Sequence, residues 1–220
     1  MIVLALDGAL GAFTVAVARD DAIAAQQSEN GKRALEAGLA HVASVMQRAG
    51  VLPADLDRIT VGIGPGGFTG LRIALSYAKA LALAWRLPLV AISSYDLLED
   101  GARPPVALTV VSGRRGIVCA RFRSAESTET ACGAPAEVVA RLLGPAVYDV
   151  TLFGEAEGVL GALAERGIHV THIAPSVAAA VAAALMAAHR TPARTPHEAR
   201  PEYGEQPAAT PPRLRGRGVR

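Results

Sequence analysis

Residues 57–94 read DRITVGIGPGGFTGLRIALSYAKALALAWRLPLVAISS. The run 57–63 is short, apolar and β-branched, and it ends in turn residues, as a buried strand does. Over 69–86 the polar side chains Arg72, Ser76, Lys79 and Arg86 fall on one narrow stripe of a helix. Residues 87–93 form another apolar strand, and Ser93 and Ser94 are placed to cap a short helix after it. Strand, glycine loop, long helix and strand make an α/β unit.

Working outward, MIVLALD (1–7) is a buried strand, Gly8 and Gly11 bracket a turn, and FTVAVAR (13–19) and AIAAQQS (22–28) are further strands. Residues 31–50 are helical, with Leu35, Leu39, Val42 and Met46 on one face and Gly50 as a stop. DGARPP (100–105) breaks the pattern and marks a domain boundary. Beyond it come a hairpin (106–111 and 116–122), a helix (135–143), a strand (147–153), a helix (155–166), a strand (168–173) and a helix (175–190). Each half thus runs strands, helix, strand, helix, strand, helix. This order predicts two RNase H-like halves of actin-like architecture, with mixed sheets flanked by helices. The expected domains are 1–100 and 101–190, with the last helix able to pack back on the first. Residues 191–220, rich in proline and arginine and poor in bulky aliphatics, are expected to be a disordered tail.

Half of the residues are apolar, aromatics are 4%, and the net charge is +2, which gives no electrostatic sign of a nucleic-acid binder. Cys119 and Cys132 match no zinc spacing and read as two reduced thiols. Asp7 interrupts the first apolar run and no basic segment precedes it, so no secretory leader is expected. No apolar run is long enough to span a bilayer. A cytoplasmic protein without membrane contact is the expectation.

The glycine loop invites a phosphate reading, which its neighbours oppose. Gly62, Gly64 and Gly67 satisfy the spacing of a dinucleotide motif, but the next strand ends in Ser93 and Ser94 where a ribose-binding acid belongs. Pro65 also removes a central amide donor. Aligned as a P-loop from Gly62, the segment has Phe68 in place of lysine. The actin-like architecture uses instead an aspartate in the first turn of each half, which orients a metal ion and water. Asp7 fits the first position and Ser112 occupies the second. Asp7 is therefore the one candidate cofactor-binding residue, and an ATPase or small-molecule kinase using it is the alternative function. His169 and His172 cannot share a metal on one strand face, and no catalytic or metal-binding set emerges.

The 69–86 helix is apolar around far more of its circumference than one sheet can cover. The 31–50 helix has the same character. The positions Leu35, Leu39, Val42, Met46, Leu71, Leu75, Ala78 and Ala82 are accordingly candidates for a partner interface or for the core, and residue pattern alone does not divide them.

The string Gly64-Pro65-Gly66-Gly67-Phe68-Thr69-Gly70-Leu71-Arg72, within VGIGPGGFTGLRIALSYAKALA (61–82) and followed by LPLVAISSYDLL (87–98), closely resembles the TsaB family. Weaker similarity covers most of the chain. VLALDGALGAFTVAV resembles the family's opening strand pair, with Gly8-Ala9 as a departure. SGRRGIVCARF resembles a DARRGEVYVA segment, with Ser112, Ile117 and Cys119 replacing Asp, Glu and Tyr. RPEYGEQPAATPP resembles the C-terminal segment and keeps Tyr203, with Glu202, Gly204 and Glu205 in place of Leu, Leu and Arg. Ala34 stands where the family has histidine.

The resemblance implies a non-catalytic dimerisation subunit of the machinery that adds a threonylcarbamoyl group to the adenosine beside the anticodon of certain tRNAs. It implies a catalytic paralogue, TsaD, that carries the ATP and metal, so that no cofactor is bound by this chain alone. A TsaE-like ATPase joins the assembly, and tRNA is reached indirectly through the complex. Pairing would run through the two helices singled out above, either with TsaD or with a second copy of the chain as a homodimer.

Overall fold

The computed structural model describes residues 1–20, 22–31, 36–100, 102–113, 116–154, 157–174, 178–187 and 190–204. In the first half, β1 (Ile2–Asp7), β2 (Phe13–Arg19), β3 (Ala22–Glu29), β4 (Arg58–Gly62) and β5 (Leu89–Ile92) form one sheet in the order β3-β2-β1-β4-β5. The first three strands are antiparallel; β4 and β5 run parallel to β1. Helix α1 (Gly38–Ala49) lies before β4, α2 (Phe68–Trp85) joins β4 to β5, and α3 (Ser94–Glu99) closes the half.

The second half repeats this plan. Strands β6 (Ala107–Ser112), β7 (Val118–Arg123), β8 (Thr128–Gly133), β9 (Asp149–Gly154) and β10 (His169–Ile173) take the order β10-β9-β6-β7-β8. Helix α4 (Pro135–Leu142) lies before β9, α5 (Val159–Glu165) before β10, and α6 (Ala179–Met186) follows. The two sheets have the same mixed order and sense, which is the RNase H-like unit twice over. Strand β8, TETACG, is absent from the sequence reading because its first half is polar and exposed and it carries no bulky aliphatic residue; it exists as an edge paired to β7.

Burial explains the composition. Leu4, Leu6, Val15, Val17, Ile59 and Val61 turn to α1 and α2 on one face of the first sheet. Ala5, Ala16 and Ala18 turn to the other, where α6 lies on them through Ala180, Ala182, Ala183 and Ala184. Alanine on both surfaces lets this helix approach the sheet closely. The Ala180 amide donates to Thr14 Oγ1 (3.1 Å), and Arg58 Nη1 donates to the Ala187 carbonyl (2.9 Å), so both ends of α6 are tied to the first half. The segment after it is also packed. Ala193 donates to the Leu89 carbonyl and Ala199 is buried in the core. The sequence expectation of an unpacked tail from residue 191 is thus corrected as far as Gly204. Residues 205–220 lie outside the described residues.

The two halves are fastened by ions as well as by apolar contact. The Glu99 carboxylate, fully buried, accepts from Thr109 Oγ1 (2.6 Å), Arg121 Nη2 (2.9 Å) and Arg123 Nη2 (2.9 Å). Asp96 meets Arg121 and Arg190, each at 2.7 Å. Tyr95 and Leu98 of α3 pack with Ala107, Val111 and Phe153 beneath. Burial by itself would raise the Glu99 pKa, but hydrogen bonds from Thr109 and Arg121 outweigh it and hold the carboxyl below its ordinary range. Its contribution to stability is therefore full above the ordinary value of 4.5 and fades as pH falls. Glu99→Ala leaves the half-buried Arg123 guanidinium without its carboxylate and Arg121 with Asp96 alone. It is expected to destabilise the fold by about 3–5 kcal/mol in urea unfolding at pH 7, with a smaller difference at pH 3. An equal difference at both pH values would contradict a charged clamp.

Candidate functional site

The loop from Ile63 to Gly67 has a surface of the chain's own backbone on each side. On one side, the Gly67 amide donates to the Ala9 carbonyl (2.7 Å), and a Cβ on Gly66 would collide with that carbonyl. Gly8 and Gly70 meet so closely that a Cβ on either would strike the other's backbone. On the other side, Gly64 has φ +95° and faces the Glu202 carbonyl, while the Glu202 amide donates to the Ile63 carbonyl (2.7 Å). The glycines serve close approach of backbone to backbone. The backbone of residues 8–9 and of Glu202 lies against these glycines.

Ser93 does not cap α3. Its hydroxyl donates to Glu202 Oε2 (2.8 Å) and lies 3.3 Å from the Gly64 carbonyl, so it ties the loop to the C-terminal segment.

Asp7 ends β1 beneath this loop and is fully buried. Its Oδ2 accepts from the amides of Ala9 (3.0 Å) and Leu10 (3.2 Å), while Oδ1 has no hydrogen-bond partner and fills the place a side chain on Gly62 would take. Burial pushes its pKa up to about 6 against the lowering effect of the Leu10, Ala9 and Gly8 amides. The equivalent end of β6 carries Ser112. Between the halves lies a cleft of roughly 610 Å³ lined by Leu10, Leu97, Leu98, Val110 and Val111, with Ser112 and His172 at its edge. Among the described residues its lining has no lysine, arginine or carboxylate. No three His, Cys, Asp or Glu side chains among the described residues stand together as metal ligands. A magnesium–nucleotide site of the actin-like kind needs paired acids and counter-ions for phosphate, and this donor set does not fit it.

The candidate helix positions divide sharply. Val42, Met46, Leu71, Leu75, Ala78 and Ala82 are buried in the core of the first half. Leu35 lies outside the described residues. Leu39 is 50% exposed. The stripe that α1 buries is Gly38, His41, Val42, Val45 and Met46, rotated from the expected one because Gly38 packs against the Tyr77 ring of α2. The open apolar positions are different residues. On α1 they are Leu39, Ala40 and Ala43; on α2 they are Ala80, Ala84, Leu83 (49% exposed) and half-buried Ile73. Phe68, Thr69 and Arg72 of the motif are exposed, whereas Gly64, Pro65, Gly70 and Leu71 are buried and Gly66 is half-buried.

A second cleft, roughly 820 Å³, opens beside the C-terminal segment and is lined by Ser93, Asp96, Arg121, Thr130, Arg141 and Tyr203, among others. Cys119 and Cys132 lie near it. They are directly opposed in the β7–β8 register, with Cα atoms 4.1 Å apart, and are joined as a disulfide, with Gly204 packed against the sulfurs. The expectation of two reduced thiols fails because it took no account of β8, the strand that brings Cys132 opposite Cys119.

The family model described as TsaD, tRNA N6-adenosine threonylcarbamoyltransferase, matches residues 29–196. The chain belongs to that family. The tRNA threonylcarbamoyladenosine biosynthesis protein TsaB of Bacillus subtilis is 32% identical over 108 residues, 47% of this chain and 45% of the relative. The protein of the same name from Escherichia coli is 31% identical over 102 residues, 46% and 44%. The chain thus spans a little under half the length of these curated relatives. Among solved structures, YeaZ from Pseudomonas aeruginosa superposes with a TM-score of 0.71 at 23% identity, over 92% of this chain and 99% of that one. Component A of the Acidaminococcus fermentans (R)-2-hydroxyglutaryl-CoA dehydratase gives 0.52 at 12%, over 84% and 96%. TsaB proteins are homologues of this chain, as its motif string implies, YeaZ shares its fold, and the architecture is the actin-like pair of halves.

Asp7→Asn keeps an acceptor for the Ala9 and Leu10 amides and removes a buried charge. With its folded pKa raised, Asp7 contributes stability below its ordinary value of 3.8 that is lost as pH rises through about 6. Thermal unfolding of Asp7→Asn is expected to match wild type near pH 4 and to exceed it at pH 8, by up to about 3 kcal/mol. A lower melting temperature at pH 8 would contradict the assignment.

Proposed function

We propose that this chain is a non-catalytic docking subunit of the assembly that attaches a threonylcarbamoyl group to adenosine in tRNA, and that it binds and activates a TsaD-like catalytic subunit. The observation that carries the reading is the outward face of α1 and α2. Leu39, Ala40, Ala43, Ile73, Ala80, Leu83 and Ala84 leave an open, mostly small-residue apolar surface on two neighbouring helices. Small side chains allow a second helix pair to approach to the 8–10 Å typical of close helix packing. A paralogue of the same fold presents an equivalent helix pair, so the natural product is a four-helix bundle. In isolation the same face would pair two copies of the chain.

The absence of chemistry on this chain is supported by the burial of Asp7, the serine at its second-half counterpart, and the apolar lining of the cleft between the halves. ATP and metal then belong to the TsaD-like partner. A TsaE-like ATPase joining the assembly, contact with tRNA and a cytoplasmic location follow from the same reading. No described helix is long and apolar enough to cross a membrane. An ATPase or kinase using Asp7 would need that carboxylate in reach of a nucleotide, and the Gly62–Gly67 loop covers it.

Arginine at Ala78 or Ala82 would disrupt the core and could not test docking, because both are buried. Ala80→Arg with Ala84→Arg places two charges on the open face instead. Co-purification with the TsaD-like subunit is expected to fall at least 100-fold, about 3 kcal/mol of binding free energy, while the circular dichroism spectrum is unchanged. Undiminished association would place the interface elsewhere.

A further inference from the structure

We propose that the Cys119–Cys132 disulfide is a reversible redox site, opened by a dithiol, that holds the C-terminal strap 201–204 down on the glycine loop. The strap bridges the two halves. On the first half, the Glu202 amide donates to the Ile63 carbonyl (2.7 Å) and Gly64 faces the Glu202 carbonyl. Ser93 Oγ donates to Glu202 Oε2 (2.8 Å), and the Tyr203 ring lies 5.3 Å from that of Phe68. On the second half, Gly204 lies on the disulfide so closely that a Cβ there would collide with both sulfurs. Neither Glu202 nor Tyr203 is buried, so few apolar contacts hold the strap, and it belongs to the part of the fold that opens most readily.

The two sulfurs differ in access. Cys119 is buried, whereas Cys132 is half-buried and lines the cleft of roughly 820 Å³ that Glu202 and Gly204 also line. An incoming thiolate therefore meets Cys132 Sγ. Its attack forms a mixed disulfide at Cys132 and breaks the Cys119–Cys132 bond, whose electron pair leaves on Cys119 as a thiolate and takes up a proton. The second thiolate of the dithiol then attacks the reductant's sulfur in the mixed disulfide. Cys132 leaves as a thiolate and is protonated, and the reductant departs as a disulfide. The pair has gained two electrons and two protons, and an oxidised dithiol reverses the steps. Two thiols cannot remain at bonding distance, and Gly204 fills the space beside them. Parting of the sulfurs thus displaces Gly204, and with it the strap. A bond that only stapled the edge strand β8 to β7 would need neither a sulfur facing the cleft nor the strap's end upon it. The site is independent of the docking face on α1 and α2.

The test uses the full chain, equilibrated with dithiothreitol at stepped ratios of its reduced and oxidised forms. Free thiols are titrated, and hydrogen exchange of the Glu202 amide is followed by NMR. No free thiol is expected at the oxidising end and both at the reducing end. Glu202 exchange is expected to be about ten-fold faster once the pair is reduced, over the same ratios as the thiol titre, with the β4 amides unchanged. Gly204→Ala, read in the oxidised form, is expected to exchange at the fast rate, because its methyl group meets the sulfurs. Cys119→Ser with Cys132→Ser is expected to exchange at one rate at every ratio. Two free thiols at every ratio, or a response to dithiothreitol in the serine variant, would overturn the site. Faster exchange confined to β8 would make the bond a strand staple and overturn the strap. Equal acceleration of the β4 amides, or slow Glu202 exchange in oxidised Gly204→Ala, would overturn it as well.

Discussion

The hydrogen bond from the Gly67 amide to the Ala9 carbonyl, with the Gly8–Gly70 contact beside it, fixes the geometry on which the rest of the first half depends. It presses the β1–β2 turn against the start of α2. A Cβ at Gly8, Gly66 or Gly70 would collide with the facing backbone. Asp7, at the end of β1, is fully buried beside Gly62 of β4. Helix α2 then leaves the loop with Leu75, Ala78 and Ala82 against the sheet and Ala80, Leu83 and Ala84 turned outward. The contact that seats the β1–β2 turn is thus the one that sets how α2 leaves the loop.

The ionic clamp around Glu99 and Asp96 plays a complementary part. In a two-lobed architecture that works by opening and closing, the lobes must be free to rotate. Here α3 of the first half is held to β6 and β7 of the second by a buried carboxylate and two arginines, while Arg190 reaches back to Asp96. The helix α6 returns from the second half to cover the first sheet. Both devices favour a single arrangement of the halves, as the proposed docking role requires.

The fold was largely legible because it is written in apolar periodicity: the buried strands and the long helices have strong patterns. The order of elements then gave the duplicated halves. What escaped were features that depend on tertiary partners. Strand β8 is polar and exists through its pairing with β7, and with it went the opposition of Cys119 and Cys132. Residues 191–204 look disordered by composition, yet a few backbone hydrogen bonds and the buried Ala199 hold them down. The helix stripes were read in the right elements, but six of the eight candidate positions are core. A wide apolar arc does not say which part its own sheet, the neighbouring Tyr77 and the returning segment will cover. The TsaB-like motif string was the strongest functional signal, because it is long and ungapped and does not depend on any single glycine.

The central claim is that this chain contributes a surface and no chemistry of its own. Its most direct test is the amount of threonylcarbamoyladenosine formed on tRNA by a reconstituted TsaD-like subunit and its accessory proteins. The reaction is run with no added chain, with wild type and with Asp7→Asn. The account predicts that wild type and Asp7→Asn restore product equally, well above the reaction lacking the chain. Loss of product with Asp7→Asn, while the variant remains folded and bound to the catalytic subunit, would contradict it.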